Sequence, residues 1–379
     1  ALGLSLSVSL LPSLDSAARH MQHGPITLCQ GRTCRPGEGN PSVTHSANPH
    51  KLAPPPDDWL RDPPHGADTT HYAPLVAAAT AAARHRLIIL CAADFDYREL
   101  AENWYLAIKR VGLTNGLVYS LDEPAHRHLQ LRGVPSVDGS SNLDDWNRTR
   151  LSRHIQRVEA ERHIATAALA ASGLDVLLTD STHVMLSDVT PALHALRGHR
   201  EAVDVAAPRL LCNGKPPFGC SVWWNLVFLR GAGTSEERSR AVHFQTAGVR
   251  KGMVDFYLRW YNGAHAIVQG FGKLVAGCPN ALQGGITAAD LVGDNNRTAV
   301  MRSCTADAAL GPVRIGLLPP SFFDQPALYG NATRPRAAGS HFFRPPKPFQ
   351  RDRLNLNRYD EQDFDEVVAA LRAEHLWFV

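Results

Sequence analysis

The chain has 379 residues, enough for one large domain or two ordinary ones, and 44% of them are hydrophobic while 20% are charged. This composition is typical of a folded globular protein and excludes a chain that is disordered throughout. The formal net charge of +3 is small for this length, and the sequence contains no cluster of Lys and Arg residues. Both observations argue against a nucleic-acid-binding protein that depends on phosphate neutralisation.

The first 72 residues are predicted to form an irregular, Pro-rich stem or linker. They are rich in Pro, Gly and Asn and have no sustained periodicity, which is typical of an extended, weakly packed segment. The mildly apolar start, ALGLSLSVSLLPSL, has two interpretations: the trailing end of a signal or signal-anchor segment, with a membrane anchor upstream of residue 1, or a flexible terminus. No stretch reaches the roughly 18 apolar residues of a membrane span.

Helices and strands alternate after the stem, in a single predicted domain over residues 73–379. Helices are predicted from alanine content and helical spacing, and strands from short apolar runs. Helices are predicted over 72–85, 97–112 and 149–173. Each is followed by a predicted strand, over 86–93, 115–122 and 174–180 respectively. This alternation predicts right-handed crossovers and a largely parallel α/β sheet.

Three acidic residues follow the three predicted strands. Asp94, Asp122 and Asp180 each fall at or just after the end of one of these strands. Because ligands of such sheets bind at the carboxyl ends of the strands, these acids are the first candidates for a binding site.

The second half of the chain is less regular, and it contains no internal repeat. A long helix, or two shorter ones, is predicted over 235–263, and an amphipathic helix closes the chain at 360–377. Strands are predicted over 201–210, 221–231 and 312–319, a weak helix over 280–293, and a basic, Pro-rich loop over 334–355.

Seven cysteines are present, with no Cys-x-x-Cys pair and no tight Cys/His cluster, which argues against a zinc site. Six of them fall into three close pairs, and Cys91 lies in a predicted strand. We favour disulfides in an oxidising lumen, because three Asn-x-Thr sequons point the same way; the alternative is seven reduced, mostly buried thiols. The pairs are Cys29 with Cys34, Cys212 with Cys220, and Cys278 with Cys304, and the sequons begin at Asn147, Asn296 and Asn331.

Four segments, taken in order, resemble one known family. They are ADFDYRELAENWYLAIKRVGLTNGLVYSLDE, AASGLDVLLTDSTHVMLSD, SVWWNLVFLRG, and LLPPSFFDQPALYGN followed by GSHFF. Over roughly residues 88–345, their order and spacing resemble the nucleotide-diphospho-sugar transferase family of plant and algal xylosyl- and arabinosyltransferases. The resemblance includes Asn103-Trp104 in the first segment, Asn225 in the third and His341 in the last.

The resemblance implies a GT-A fold, in which a Rossmann-like, mostly parallel sheet flanked by helices binds a nucleotide sugar such as a UDP-sugar, usually with Mn²⁺ or Mg²⁺. It implies transfer of a sugar, with a pentose favoured, to a glycoprotein or polysaccharide acceptor with retention of configuration. It also implies a type II membrane protein or a secreted protein of the Golgi lumen or secretory pathway. The stem and the sequons agree with a lumenal location.

The metal ligands implied by the resemblance are Asp180, Thr182 and His341. The family's Asp-x-Asp motif has its second acid replaced by Thr182, whose neutral hydroxyl cannot replace the charge of a carboxylate. His183 is adjacent, but in an extended segment it would point to the opposite side from Thr182. We therefore expect weakened binding of the metal.

Other residues are candidates for binding the donor and for catalysis. The donor-binding candidates are Asp94, Asp96, Asp180, Asn225 and Arg344, and the catalytic candidates are Gln283 and Asp290. Asp96 has a second interpretation as the cap of the helix that begins near Tyr97. The basic segment that contains Arg344 either closes on the diphosphate in place of a metal or is a solvated surface loop.

Two functions remain open from the sequence. The first is an active glycosyltransferase. The second is an inactive, glycosyltransferase-like protein that has lost its metal site and acts as a structural or carbohydrate-binding subunit of a larger protein assembly.

Overall fold

The computed structural model describes residues 67–146, 151, 154–198, 203–212, 220–222, 224–231, 235–259, 271, 299–302, 313–318, 322–324, 340–345 and 364–379. The helices of these residues are α1 (Ala73–Ala82), α2 (Arg98–Arg110), α3 (Glu123–Leu131), α4 (Ser140–Asp145), α5 (His154–Ala171), α6 (Thr190–Gly198), α7 (Ser235–Arg259) and α8 (Phe364–Ala373). The strands are β1 (Leu87–Ala93), β2 (Gly116–Ser120), β3 (Ser136–Asp138), β4 (Asp175–Asp180), β5 (Val184–Met185), β6 (Val205–Cys212), β7 (Cys220–Val222), β8 (Val227–Leu229), β9 (Ala299–Arg302), β10 (Arg314–Leu318), β11 (Phe323–Asp324) and β12 (Phe342–Phe343).

Within the described residues, nine strands form one sheet in the order β3-β2-β1-β4-β8-β6-β10-β9, with β7 paired to β6. Strands β3, β2, β1 and β4 are parallel neighbours, and β6 is parallel to β10. Strand β8 is antiparallel to both β4 and β6, while β9 and β7 are antiparallel to β10 and β6. Six of the nine strands therefore run in one direction, which confirms the prediction of an α/β protein with a mostly parallel sheet.

Helices cover both faces of this sheet. The alternation of side chains along β1 sends Ile88 and Leu90 into one core and Ile89 and Cys91 into the other. Residues of α1, α5 and α7 pack in the first core, and residues of α2, α3 and α6 pack in the second. The arrangement is compatible with a Rossmann-like fold, because the order β3-β2-β1-β4 matches four neighbouring strands of a doubly wound sheet, in the order 3-2-1-4.

Two glycines end the two helices that flank β1, as the sequence predicts. Gly112 follows α2 with φ of 84° and Gly173 follows α5 with φ of 99°, a left-handed conformation that costs glycine little. After each glycine the next backbone N–H donates back into the helix, from Leu113 to the carbonyl of Ile108 and from Leu174 to that of Leu169, both at 3.2 Å. Both helices thus end in the standard glycine-dependent way.

Several elements were not predicted from the sequence: α3, β3, α4, α6 and the strands β5, β9, β11 and β12. The signal for α3 was present, because Asp122 caps the helix by accepting from the Ala125 N–H at 2.8 Å, and a proline stands in its first turn. The other Asp122 oxygen accepts from the Phe95 N–H at 2.8 Å. Asp122 is therefore a structural acid at the end of β2.

The single strand predicted over 221–231 is also wrong. The chain forms β7 and β8 there, separated by a turn that includes Trp224 and Asn225. Trp224 is buried in the core beside Phe244 and Phe271. The turn lets β8 enter the sheet antiparallel to β4.

The cysteine predictions fall mainly outside the described residues. Cys91 is a buried free thiol in β1, as the sequence predicts for its burial. In the antiparallel pair of β6 and β7, Cys212 stands opposite Cys220, and the disulfide between them stays a prediction. Cys29, Cys34, Cys278, Cys304, the three sequons, the stem up to residue 66 and the weak helix over 280–293 lie outside the described residues.

The described residues belong to one compact unit, Pro54–Val379. Among them, no helix combines the length and the apolar character that crossing a membrane requires.

The pair Asn103-Trp104 on α2 has a packing role. The Trp104 indole N–H donates to Thr179 Oγ1 at 2.7 Å and so ties α2 to β4. The Asn103 amide donates to the Leu376 carbonyl at 3.1 Å and accepts from the Phe378 N–H at 2.6 Å. Adjacent residues of one helix therefore hold the central sheet and the C-terminal segment.

We expect Asn103→Leu to lower the free energy of unfolding by about 2–4 kcal/mol, because the variant leaves two backbone groups without their partner at a buried position. Urea unfolding followed by circular dichroism measures the change. Lys109→Ala, on an exposed position of the same helix, is the control and should change stability by at most about 0.5 kcal/mol. An Asn103→Leu protein as stable as this control would contradict the assigned role.

Candidate functional site

The candidate site lies where the chain changes direction across the sheet. From β1 the chain winds one way through β2 to β3, and then returns to place β4 on the other side of β1. Ala92, near the end of β1, stands opposite Asp180, the last residue of β4. In open α/β sheets, the crevice between two such strands at their carboxyl ends is the usual ligand site.

A cleft that is partly open to solvent occupies this position. It brings together five of the residues that the sequence analysis singled out: Asp94, Asp180, Thr182, Asn225 and Arg344. They come from distant parts of the chain. The remaining lining residues are Ala92, Ala93, Tyr97, Ile155, Val158, Glu159, Arg162 and Ser181.

Asp180 begins a tight turn. Its carbonyl accepts from the His183 N–H at 2.9 Å, and its Oδ1 accepts from both the N–H and the hydroxyl of Thr182 at 3.3 Å. The expectation of an extended segment here is therefore wrong. In the turn, the buried His183 ring accepts the Asp180 N–H at its Nδ1, at 3.1 Å.

Arg162 of α5 is the counter-ion of Asp180, a role that no sequence pattern predicted. Its Nη1 lies 3.6 Å from Asp180 Oδ2, and the Arg162 side chain is only 6% exposed against 21% for Asp180. On the other side, Arg162 Nη2 lies 3.9 Å from Glu159 Oε1. Among the described residues, the Nε and Nη2 atoms of Arg162 have no hydrogen-bond partner.

A second buried guanidinium, Arg344, reaches the cleft through a small sheet of the order β11-β12-β5. In this sheet Phe343 pairs with Val184 in antiparallel register, so the next residue, Arg344, continues towards His183. Arg344 is 3% exposed, and the interpretation of this residue as part of a solvated surface loop is wrong. Burial, with the positive charge of Arg162, lowers the pKa of Arg344 to about 10, although Asp180 opposes the shift.

The two arginines set the ionisation of the acid between them. Burial alone would raise the pKa of Asp180, but Arg162, His183, Arg344 and the Thr182 N–H outweigh it, so the pKa lies below its usual range. Burial lowers the pKa of His183 to about 3, even though Asp180 opposes the shift. At neutral pH the site therefore contains a carboxylate, a neutral imidazole and guanidinium groups.

Asn225 enters the cleft from the turn before β8. Because Val227 of β8 pairs with Leu178 of β4, the turn lies at the same edge of the sheet as Asp180. Asn225 is 4% exposed, and its Oδ1 has no hydrogen-bond partner among the described residues. A buried amide oxygen in this state is suited to accept a hydrogen bond from a ligand hydroxyl or N–H.

Asp94 lines the cleft, whereas Asp96 is exposed on a 3-10 turn at Phe95–Tyr97. Asp94 caps this turn, with its Oδ1 accepting from the Tyr97 N–H at 3.3 Å, so the capping role proposed for Asp96 belongs to Asp94. The other Asp94 oxygen lies 2.9 Å from His154 Nε2. Donor binding by Asp96 stays a prediction.

His341 lies outside the residues that line the cleft. The register of β12 and β5 places it beside Leu186, whose N–H donates to the His341 carbonyl at 2.8 Å. Its ring makes a 2.8 Å hydrogen bond with Ser187 Oγ and packs against Phe322. Burial lowers the pKa of His341, although Asp188 opposes the shift.

The catalytic candidates Gln283 and Asp290 lie outside the described residues, so their roles stay predictions.

The side chains that the structure describes around the cleft do not fit a divalent metal. In the described part of the chain, no three His, Cys, Asp or Glu side chains are grouped closely enough to hold a metal ion. Each cleft carboxylate also has a partner, since Asp180 and Glu159 contact Arg162 and Asp94 contacts His154. A hard cation requires several free oxygen ligands, and here it would also meet two buried guanidiniums.

No protein-family model matches the chain, and a search of curated proteins finds no match either.

The contact between Arg162 and Asp180 should stabilise the folded protein. We expect a double-mutant cycle with Asp180→Asn and Arg162→Gln to give a coupling energy of about 1–3 kcal/mol, because each group loses its charged partner in a buried setting. Urea unfolding of the four proteins measures it. The exposed pair Arg127 and Glu123 is the matched control, with a coupling of at most about 0.5 kcal/mol; equal couplings would refute a buried pair.

The neutral His183 should make stability depend on pH. Between pH 6.5, its ordinary pKa, and about 3, the folded pKa, the unfolded chain binds a proton that the folded chain excludes. Stability therefore falls as the pH falls, by up to about 1.4 kcal/mol per pH unit from this group. Urea unfolding at pH 7 and pH 5 should show a smaller loss for His183→Asn than for the wild type, and an unchanged loss for the exposed control His85→Asn. If His183→Asn and the wild type lose the same stability between pH 7 and pH 5, His183 is not the source of the pH dependence.

Proposed function

We propose that the chain is a glycosyltransferase of the GT-A type, which binds a nucleotide sugar in the cleft between β1 and β4. One observation carries the proposal. Five residues that the sequence predicts to contact the donor or its metal come from distant segments and line one cleft at the switch point of the sheet: Asp94, Asp180, Thr182, Asn225 and Arg344.

The cleft has the chemical properties that sugar transfer from a nucleotide diphosphate needs. The bond from the anomeric carbon to the diphosphate oxygen breaks, and its electron pair leaves with the diphosphate. The oxygen of the acceptor hydroxyl bonds to the same carbon, and its proton is released. Positive charge beside the leaving oxygens stabilises the developing negative charge, and Arg162 and Arg344 supply such charge in a poorly solvated setting.

Asn225 is suited to orient the donor. The residue lines the cleft from the turn before β8, and its buried Oδ1 accepts no hydrogen bond among the described residues. A sugar or base hydroxyl or N–H can fill this position. Orientation of this kind contributes to catalysis by holding the reacting groups in place.

The wider parts of the proposal come from the resemblance. They are a pentose as the transferred sugar, retention of configuration, a glycoprotein or polysaccharide acceptor, and a lumenal setting in the Golgi or the secretory pathway. The family's Mn²⁺ or Mg²⁺ is the part that the cleft supports least, since its carboxylates already have partners.

A second candidate function is an inactive subunit that binds carbohydrate or builds a larger assembly. The observation that favours it is the engagement of Asp180 by Arg162 and Thr182. In this interpretation the ion pair is a permanent structural replacement for a lost metal site.

Incubation of the full chain with UDP-pentoses and a panel of acceptor glycans tests the proposal, with released UDP and glycosylated product as the measurements. We expect turnover, and we expect Asn225→Leu to lower kcat/KM by about 10- to 1,000-fold because the variant loses a polar contact to the donor. Asn142→Leu, an amide outside the cleft lining, is the matched control and should remain active.

If no UDP is released and calorimetry detects no donor binding in any buffer, the enzyme is rejected and the subunit function remains. Donor binding without turnover would support a carbohydrate-binding or structural role instead.

A further inference from the structure

We propose that the cleft binds the diphosphate of its donor without a divalent cation, through a clamp formed by Arg162 and Arg344, with Asp180 as the internal counter-ion. This inference rests on the proposed function and specifies how the donor is held. Its core observation is geometric: two buried guanidiniums, Arg162 and Arg344, line the same cleft as Asp180 at the ends of β1 and β4, and the other two cleft carboxylates, Asp94 and Glu159, already have partners.

Arg162 is the stronger half of the clamp. It is 5% exposed, and its Nε and Nη2 atoms are buried without a hydrogen-bond partner among the described residues. Its ionic contacts are long, at 3.6 Å to Asp180 and 3.9 Å to Glu159. A buried guanidinium in this state is costly, and an anionic ligand with several acceptor oxygens would supply the missing hydrogen bonds.

The charges favour a diphosphate over a metal. Arg162 and Arg344 together carry the two positive charges that a divalent cation would bring. A metal ion at Asp180 would stand beside both guanidiniums and be repelled by them. A diphosphate would instead offer acceptor oxygens to both groups, because the planar fork of each guanidinium matches two phosphate oxygens at once.

Thr182 fits this arrangement better than an acid would. Its N–H and hydroxyl both lie 3.3 Å from Asp180 Oδ1, which leaves the other oxygen, Oδ2, directed to Arg162. A second carboxylate at position 182 would compete with the diphosphate for the arginines. The neutral residue at this position therefore follows from the charge balance of the clamp.

Isothermal titration calorimetry with inorganic pyrophosphate and with UDP, each in EDTA and in Mn²⁺, tests the clamp on the full chain. For the wild type we expect binding in EDTA, with an affinity within about 3-fold of that in Mn²⁺. Arg162→Gln and Arg344→Gln should each weaken binding by about 10- to 100-fold, the usual effect of losing a charge-assisted contact. Arg157→Gln is the matched control, because Arg157 lies on the same helix but outside the cleft lining.

Two further variants keep the result interpretable if Arg162→Gln unfolds. Arg162→Lys retains the charge but loses the planar fork, and it should bind UDP more weakly than the wild type while melting at a similar temperature. Thr182→Asp should weaken binding in EDTA and make binding depend on Mn²⁺. Wild-type affinity of both variants in EDTA would overturn the clamp.

The clamp and the proposed function fail in different ways. UDP binding that requires Mn²⁺ and is unaffected by either arginine variant overturns the clamp and leaves the glycosyltransferase. Pyrophosphate binding in EDTA that depends on both arginines, without UDP-sugar binding or turnover, supports the clamp and overturns the glycosyltransferase. Absence of binding of pyrophosphate, UDP and UDP-sugar in either buffer overturns both.

Discussion

The contact between Arg162 and Asp180 is the interaction on which the rest of the site depends. It joins the helix α5, whose second half is buried between the sheet and α7, to the last residue of the central strand β4. In a poorly solvated cleft neither charge is stable alone. The pair therefore fixes the end of β4, the turn that follows it and the ionisation of the acid, and it explains how the charge of Arg162 is accommodated at a buried position of α5.

Much of the fold follows from the sequence by simple physical rules. The apolar runs of β1, β2 and β4 and the glycines after α2 and α5 mark elements that the structure contains at nearly the predicted bounds. The short elements α3, β3 and α4 have too few residues for periodicity to develop. The division of β7 from β8 was hidden because Trp224 is apolar and buried, and its chemistry does not distinguish a turn from a strand.

The site was predictable only in part, because the sequence shows which residue types are present but not the direction in which each side chain points. Acids after strands are visible in the sequence, because parallel strands share one carboxyl edge, and Asp94 and Asp180 do meet there. The role of Arg162 could not be predicted, because α5 has buried residues on all of its faces. Periodicity therefore does not indicate which way one arginine of this helix points. Arg344 was recognised by its charge, but its burial depends on the pairing of β12 with β5, which local sequence does not reveal.

The pairing of β12 with β5 has a consequence for how the protein is made. Arg162 and Asp180 lie close together in the chain, and both are available once β4 has been synthesised, whereas Arg344 belongs to a much later segment. Domains form during synthesis from the N-terminus, and contacts between distant segments form slowly. In the nascent chain Asp180 can thus pair with Arg162 early, while the anion site stays incomplete until β12 pairs with β5. The anion site would then be complete only after this late segment of the chain has folded.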